Sequence, residues 1–160
     1  MKIGLALREL HRSETALARD LLRVSDRHAA EAEIHHVARD LARWSRAHVE
    51  RLAAAAGAYG VRLNADAPAS SGVLAPVRRT LSELTRKRDE TGLLLLADLR
   101  RLHRKAAGVS LDWELLAQGA QAVKDTDLLD LASTCHPETL RQLTWTNGML
   151  KQLSPQVLAS

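Results

Sequence analysis

Apolar residues recur at spacings of three and four along most of the chain, which is the period of an amphipathic helix. The clearest stripe is the first, in which Ile3, Leu7 and Leu10 share one helix face. Stripes of this kind predict five helices, at about residues 2–23, 27–59, 77–107, 111–134 and 138–153. We therefore expect an all-α fold.

Breaks between the stripes predict how the helices are connected. Short turns at Ser25–Asp26 and at Gly108 indicate antiparallel hairpins, because a turn of a few residues reverses the chain. Residues 61–75 carry no stripe, and at about 3.3 Å per residue they could run back along a helix of about 50 Å. His136–Pro137 predicts a further break. We expect two hairpins joined by a long crossover, plus a short fifth helix; a simple up-down-up-down bundle is the alternative.

Composition favours helices over sheets and places the chain in one helical domain, residues 1–160. Phe is absent and Tyr occurs once, whereas Leu and Ala are abundant. Cys135 is the one cysteine, which excludes an internal disulfide and a metal site built from several thiolates. No apolar run approaches the roughly 18 residues of a membrane span, and charge follows the N-terminus too early for a secretory signal. We expect a cytoplasmic protein.

Charge is distributed unevenly around a formal net value of +4. Residues 76–107 carry a net charge of +5 and residues 108–160 carry −3. A basic face can attract a polyanion, so a DNA-associated bundle is one alternative. No aromatic residue stands among the basic doublets as a stacking platform, and no known DNA-binding motif occurs. A nucleic-acid partner is therefore the least favoured of the alternative functions.

Polar residues inside the apolar stripes are the candidate functional residues. A buried charge costs several kcal/mol unless it is paired, hydrogen-bonded or bound to a metal. At about 100° per residue, Glu14 and His48 each point within about 40° of the apolar direction of their helix. We expect the inward-facing polar residues to form one buried cluster: Glu14, Ser45, His48, Arg88 and Asp98.

The placement of Glu14 on the first stripe and of the segment Ser45–His48 on the second resembles the arrangement in the ferritin-like superfamily, particularly in its rubrerythrin-type bundles. Those proteins place a Glu on the first helix and Glu-x-x-His on the second, and they repeat the arrangement on a second hairpin. The resemblance implies a four-helix bundle with a di-iron site. Here Ser45 occupies the position of the bridging carboxylate, and the second hairpin offers Arg88 and no matching ligand set. We expect a degenerate metal site.

Charge balance argues against iron at this position. A di-iron centre brings four or more positive charges, whereas Glu14 and a neutral His48 supply one negative charge. We expect Arg88, His48 or both to neutralise Glu14. We also expect the protein to hold no cofactor and to act as a non-catalytic binding or structural module. Two alternatives stay open: an oxidoreductase or iron-handling protein with iron or manganese at Glu14 and His48, and a pocket for a small ligand.

The remaining candidates carry weaker expectations. His28 and His35 lie away from the apolar direction of their predicted helix, so we expect them to face solvent. Cys135 beside His136 does not make a productive nucleophile–base pair, because adjacent residues at a helix end rarely orient together.

Apolar residues on a second helix face predict self-association. They occur at three places: Leu93–Leu96, Leu115–Leu116 and Leu128–Leu129. We expect a homodimer, with Trp113 and Trp145 at partly solvent-exposed contacts between the subunits.

Overall fold

The structure is a computed structural model that describes residues 2–66 and 81–160, with the backbone alone for residues 81–89. Every regular element in the described part is helical, which confirms the all-α prediction. In residues 2–66 and 81–160, four α-helices and one 3₁₀ turn follow each other: α1 Ile3–Arg27, α2 Ala32–Ala56, the 3₁₀ turn Gly57–Tyr59, α3 Leu81–Val123 and α4 Thr126–Leu158. None of the described helices is long and apolar enough to cross a membrane.

The first hairpin turns later than the sequence pattern predicts. Ser25 and Asp26 belong to the last turns of α1, which runs on to Arg27, and residues 28–31 make the reversal. Ser25 is buried, and its hydroxyl donates to the carbonyl oxygen of His35 at 2.7 Å. A serine that bonds across the hairpin is not available to cap α2, so the predicted turn at Ser25–Asp26 is wrong.

The second hairpin corrects the prediction of five helices. α3 continues through Gly108 and α4 continues through Pro137, so in the described part the expected fifth helix is the second half of α4. Buried residues on both sides of each site keep one face of the helix packed, which outweighs the local cost of Gly or Pro. The chain reverses instead at Lys124, where φ is +57°, and at Asp125, whose carboxylate caps α4 by accepting from Leu128 N at 2.9 Å.

Contacts between helices show their directions. α1 is antiparallel to both α2 and α3, and α4 is antiparallel to both α3 and α2, so α2 and α3 run the same way. In each packed pair, low residue numbers on one helix meet high numbers on the other: Ser13–Asp112 and Arg27–Asp98, Glu14–His48 and Ser25–His35, Ser45–Gln142 and Tyr59–Asp125. This order differs from an up-down-up-down bundle, in which α3 would run parallel to α1.

Leucine is the commonest buried residue among the described residues, and Trp113 is the largest of their fully buried side chains. Trp113 therefore does not lie at the partly solvent-exposed subunit contact that its position in the sequence suggested. Around it the core changes from aliphatic to polar, because Glu14, Ser45, His48, Thr139 and other polar residues are also buried. The candidate site lies in this polar part of the core.

Candidate functional site

A carboxylate and an imidazole bond directly to each other in the middle of the bundle. Glu14 on α1 is 0% exposed and His48 on α2 is 1% exposed. The Nδ1–H of His48 donates to Glu14 Oε1 at 2.7 Å. Both residues face inward because they occupy the apolar stripes of their helices, at the level where α1 and α2 pack antiparallel. A hydrogen bond of this length between a carboxylate and an imidazole fixes the orientation of both side chains in the core.

Trp113 on α3 is the second partner of the carboxylate. Its indole Nε1–H donates to Glu14 Oε1 at 2.8 Å. Its ring also packs edge-on against the His48 ring, with centroids 5.6 Å apart and an interplanar angle of 84°. Glu14 Oε1 thus accepts two hydrogen bonds, whereas Oε2 is buried without a partner. The two donors hold the carboxylate in one orientation between three helices.

The other edge of the His48 ring faces α4. Nε2 makes no hydrogen bond of good geometry, but Glu138 Oε1 lies 3.8 Å from it and the Cys135 thiol is also in contact. Cys135 in turn lies 3.8 Å from Arg51 Nη1, which donates to its sulfur. Two basic side chains, His48 and Arg51, therefore flank the buried sulfur atom.

These neighbours determine the charge of His48. Burial by itself lowers the pKa of an imidazole, because it removes water from the charged form. Contact with the Cys135 sulfur, the hydrogen bond to Glu14 and the charge of Glu14 act in the opposite direction and raise the pKa of His48 to about 10. His48 is therefore an imidazolium at neutral pH, and it forms a buried ion pair with the Glu14 carboxylate.

A second set of buried polar groups continues from this pair along α2 and α4. The amide Nε2 of Gln142 donates to Ser45 Oγ and to the carbonyl oxygen of Leu41, both at 3.0 Å. Ser45 is one turn from His48, and Thr139 lies between Cys135 and Gln142 on the inner face of α4. Gln142 Oε1 and Thr139 Oγ1 are buried without partners. Gln142 thus joins α4 to the side chain of Ser45 and to the backbone of α2.

Asp98 is buried as the sequence suggests, but it belongs to a different cluster. Its carboxylate accepts from Arg27 Nη1 at 3.1 Å and from His28 Nε2 at 2.8 Å, near the end of α1. His28 is 2% exposed, so the expectation that it faces solvent is wrong: it lies in the hairpin turn and reaches back into the core. The side chain of Arg88 lies outside the described residues. Among the expected cluster, the structure brings together Glu14, Ser45 and His48.

The metal-binding set of the ferritin-like resemblance does not fit these residues. Glu14 and Glu138 lie at opposite edges of the His48 ring, so the two carboxylates cannot chelate one ion together with that ring. A protonated imidazole also has no lone pair to donate to a metal. Within the described part of the chain, no three side chains from His, Cys, Asp and Glu stand where they could hold one ion. The second hairpin supplies Trp113, Thr139 and Gln142 to this core instead of ligands.

Sequence reasoning missed the partners from the second hairpin. Cys135 was not expected to form a reactive pair with its neighbour His136, and the His136 ring bonds to Ser110 at 2.7 Å. Its actual neighbours, His48 and Arg51, were not foreseen. The signal was present in α4, where Cys135, Thr139 and Gln142 lie at helical spacings of four and three across Pro137. Treating Pro137 as a break concealed this inner face, because it divided one stripe between two predicted helices.

A thiol beside an imidazole that bonds to a carboxylate resembles the nucleophile, base and orienting group of thiol enzymes. Cys135 is fully buried, however, so a substrate does not reach its sulfur in this conformation. No protein-family model, curated protein or solved structure matches the chain. The function has to be inferred from the geometry, which is that of a closed core containing the Glu14–His48 pair.

Proposed function

We propose that this chain is a ferritin-like helical bundle without a competent di-iron site, acting as a non-catalytic binding or structural module. The observation that supports it is the pairing of Glu14 with His48 and Trp113. All three are buried and engaged with one another, so the residues that the resemblance assigns to metal instead stabilise the core. Glu14 Oε1 and His48 Nδ1 bond to each other, so neither of these two atoms is free to bind a metal.

The order of the helices supports the ferritin-like part of the proposal. Two antiparallel hairpins pack so that α2 and α3 run in the same direction, which is the order expected for two hairpins joined by a long crossover. Ser45 replaces the bridging carboxylate and bonds to Gln142 from the second hairpin. An amide–hydroxyl bond of this kind joins the hairpins without a bridging metal.

An atypical metal enzyme is the main alternative, and metal content distinguishes the two functions. The experiment is elemental analysis of untagged protein, followed by titration with Fe²⁺ and Mn²⁺ under anaerobic conditions. We expect less than about one ion in ten chains and no change on titration, because His48 would have to lose a proton and break its bond to Glu14 before it could coordinate. The Glu14→Gln and His48→Gln variants are the controls. One or more iron or manganese ions per chain, lost in both variants, would contradict the proposal.

Self-association and a cytoplasmic location remain expectations of this proposal. Leu111 and Leu115 support the first, because they are 65% and 67% exposed one turn apart on α3. Leu93 and Leu94 are also exposed, whereas Leu116 and Leu128 are buried within the bundle. A dimer would cover the exposed leucines at a low entropic cost compared with ordering a flexible partner.

The DNA-associated alternative has less support. It rests on the basic part of α3, where Arg101 and Lys105 lie beside the buried carboxylates of Asp98 and Asp20, at 3.5 Å and 2.6 Å. These two cations neutralise charges inside the bundle and are not free for phosphates. Non-specific retention of DNA that falls steeply with salt would favour this alternative.

A further inference from the structure

A concave surface lies between the first half of α1 and the segment 61–66, on the outside of the bundle. It encloses about 440 Å³ and is lined mainly by basic residues: Arg8, His11, Arg12, Arg19 and Arg62. None of the described residues that line it is acidic. We call it the α1 cavity.

The segment that forms one wall is held in place by contacts with α1 and α2. Val61 N donates to the carbonyl oxygen of Ala56 at 3.1 Å, and the His11 ring donates to the carbonyl oxygen of Asn64 at 2.7 Å. Val61 also packs on Gly4, where an added Cβ would come within 2.8 Å of the valine side chain. Glycine therefore permits the close approach, and the wall exists before any ligand binds.

The arginines of the α1 cavity differ from those further along the same helix. Arg23 and Arg27 lie beside Asp20 and Asp98, each 3.1 Å from a carboxylate oxygen. Arg8, Arg19 and Arg62 make no ion pair with any described residue. Arg12 reaches Glu9 at 3.3 Å, and both of those side chains are largely exposed, so that pair contributes little.

Unpaired guanidinium groups around one concavity repel each other, and the repulsion is relieved when an anion binds among them. A guanidinium is planar and always charged, and it donates two parallel hydrogen bonds to phosphate oxygens. Four such groups match a ligand with several negative charges close together. Apart from the His11 ring, which bonds to Asn64, none of the described residues that line the cavity is aromatic, so they offer no stacking platform for a base.

We propose that the α1 cavity binds a ligand with several phosphate groups in succession through Arg8, Arg12, Arg19 and Arg62. The phosphates come either from a small condensed phosphate or from the backbone of a nucleic acid. Recognition is of the phosphate chain in both cases, because the lining residues supply charge and bidentate hydrogen bonds. The inference is independent of whether Glu14 and His48 bind a metal, since the cavity lies on the outer face of α1.

Calorimetric titration of the full chain with sodium tripolyphosphate, in buffer with about 50 mM salt, tests the proposal. We expect one ligand per chain. The double variant Arg8→Ala with Arg62→Ala should weaken binding by about tenfold or more, because two of the four charge-assisted contacts are removed. The matched control is Arg100→Ala with Arg104→Ala, which removes two exposed arginines from α3 and changes the net charge equally. The control should weaken binding by less than about twofold.

A parallel titration with a single-stranded oligonucleotide distinguishes the two sources of phosphate. Tripolyphosphate binding that is lost in the Arg8/Arg62 variant supports a small condensed phosphate. Oligonucleotide binding alone, lost in the same variant, supports the same site with a nucleic-acid backbone. Absence of binding by both probes would overturn the proposal. Equal weakening in the two double variants would also overturn it, because the affinity would then come from overall charge. Circular dichroism of each variant verifies that it is folded.

Discussion

The buried ion pair makes the stability of this protein depend on pH in the alkaline range. His48 has a pKa of about 10 in the folded chain and the ordinary value of 6.5 when exposed. The difference corresponds to about 5 kcal/mol of stability, at about 1.4 kcal/mol for each pH unit. Because the folded pKa is the higher one, this stabilisation is complete below pH 6.5. It declines as the pH rises and is lost once the pH passes about 10.

The assay is urea unfolding of the wild type and His48→Gln at intervals from pH 6.5 to 10, followed by circular dichroism. Glutamine keeps a donor for Glu14 but cannot titrate. We expect the free energy of unfolding of the wild type to fall by about 1.4 kcal/mol per pH unit relative to the variant. Tyr59, whose pKa its hydrogen bond to Asp125 raises to about 12, contributes equally to both proteins.

The groups that face His48 make the result specific. They are Glu14 on α1 and Cys135 and Glu138 on α4, and Arg51 on α2 contacts the Cys135 sulfur. The matched control is His36→Gln, because His36 is exposed on the same helix and its loss should leave the slope of the wild type unchanged. Equal pH dependence in the wild type and His48→Gln would refute the reasoning, since His48 would then not be charged in the folded protein.

Three further predictions test the core, the helix boundaries and the surface. Trp113→Phe should lower the free energy of unfolding by about 1–3 kcal/mol in urea, because the buried carboxylate loses a donor and the smaller ring leaves a cavity. Trp145→Phe removes the same volume at a partly exposed position, and its indole nitrogen has no partner among the described residues, so it should cost less. Pro137→Ala should raise the free energy of unfolding by about 1–3 kcal/mol, measured by thermal unfolding, because Pro137 lies inside α4. No change would indicate that the helix ends at this residue, as the sequence pattern suggested. Multi-angle light scattering at tens of micromolar protein should find the wild type dimeric and the Leu111→Glu variant monomeric. The control is Leu5→Glu on α1, which should stay dimeric. A monomeric wild type would refute the expected dimer.

Two parts of the candidate site differ in how far sequence reasoning reaches. The inward orientation of Glu14 and His48 follows from helical spacing, because each lies on a stripe whose other members are apolar. The partners Trp113 and Cys135 could not be placed in this way. Trp113 is 99 residues from Glu14 in the chain, and which of its neighbours it meets depends on the register of α3 against α1. Periodicity within a helix carries no information on that register.

The sequence by itself determined that the chain is helical, which face of α1 and of α2 is buried, and that charged groups lie within the core. Local rules are sufficient there, since a period of 3.6 residues and the cost of exposing leucine act within one segment. Only the tertiary structure decided where the helices end and which charges meet. Gly108 and Pro137 remain helical, and Asp98 joins Arg27 and not Glu14, because packing between distant segments outweighs local preferences of about 1–3 kcal/mol.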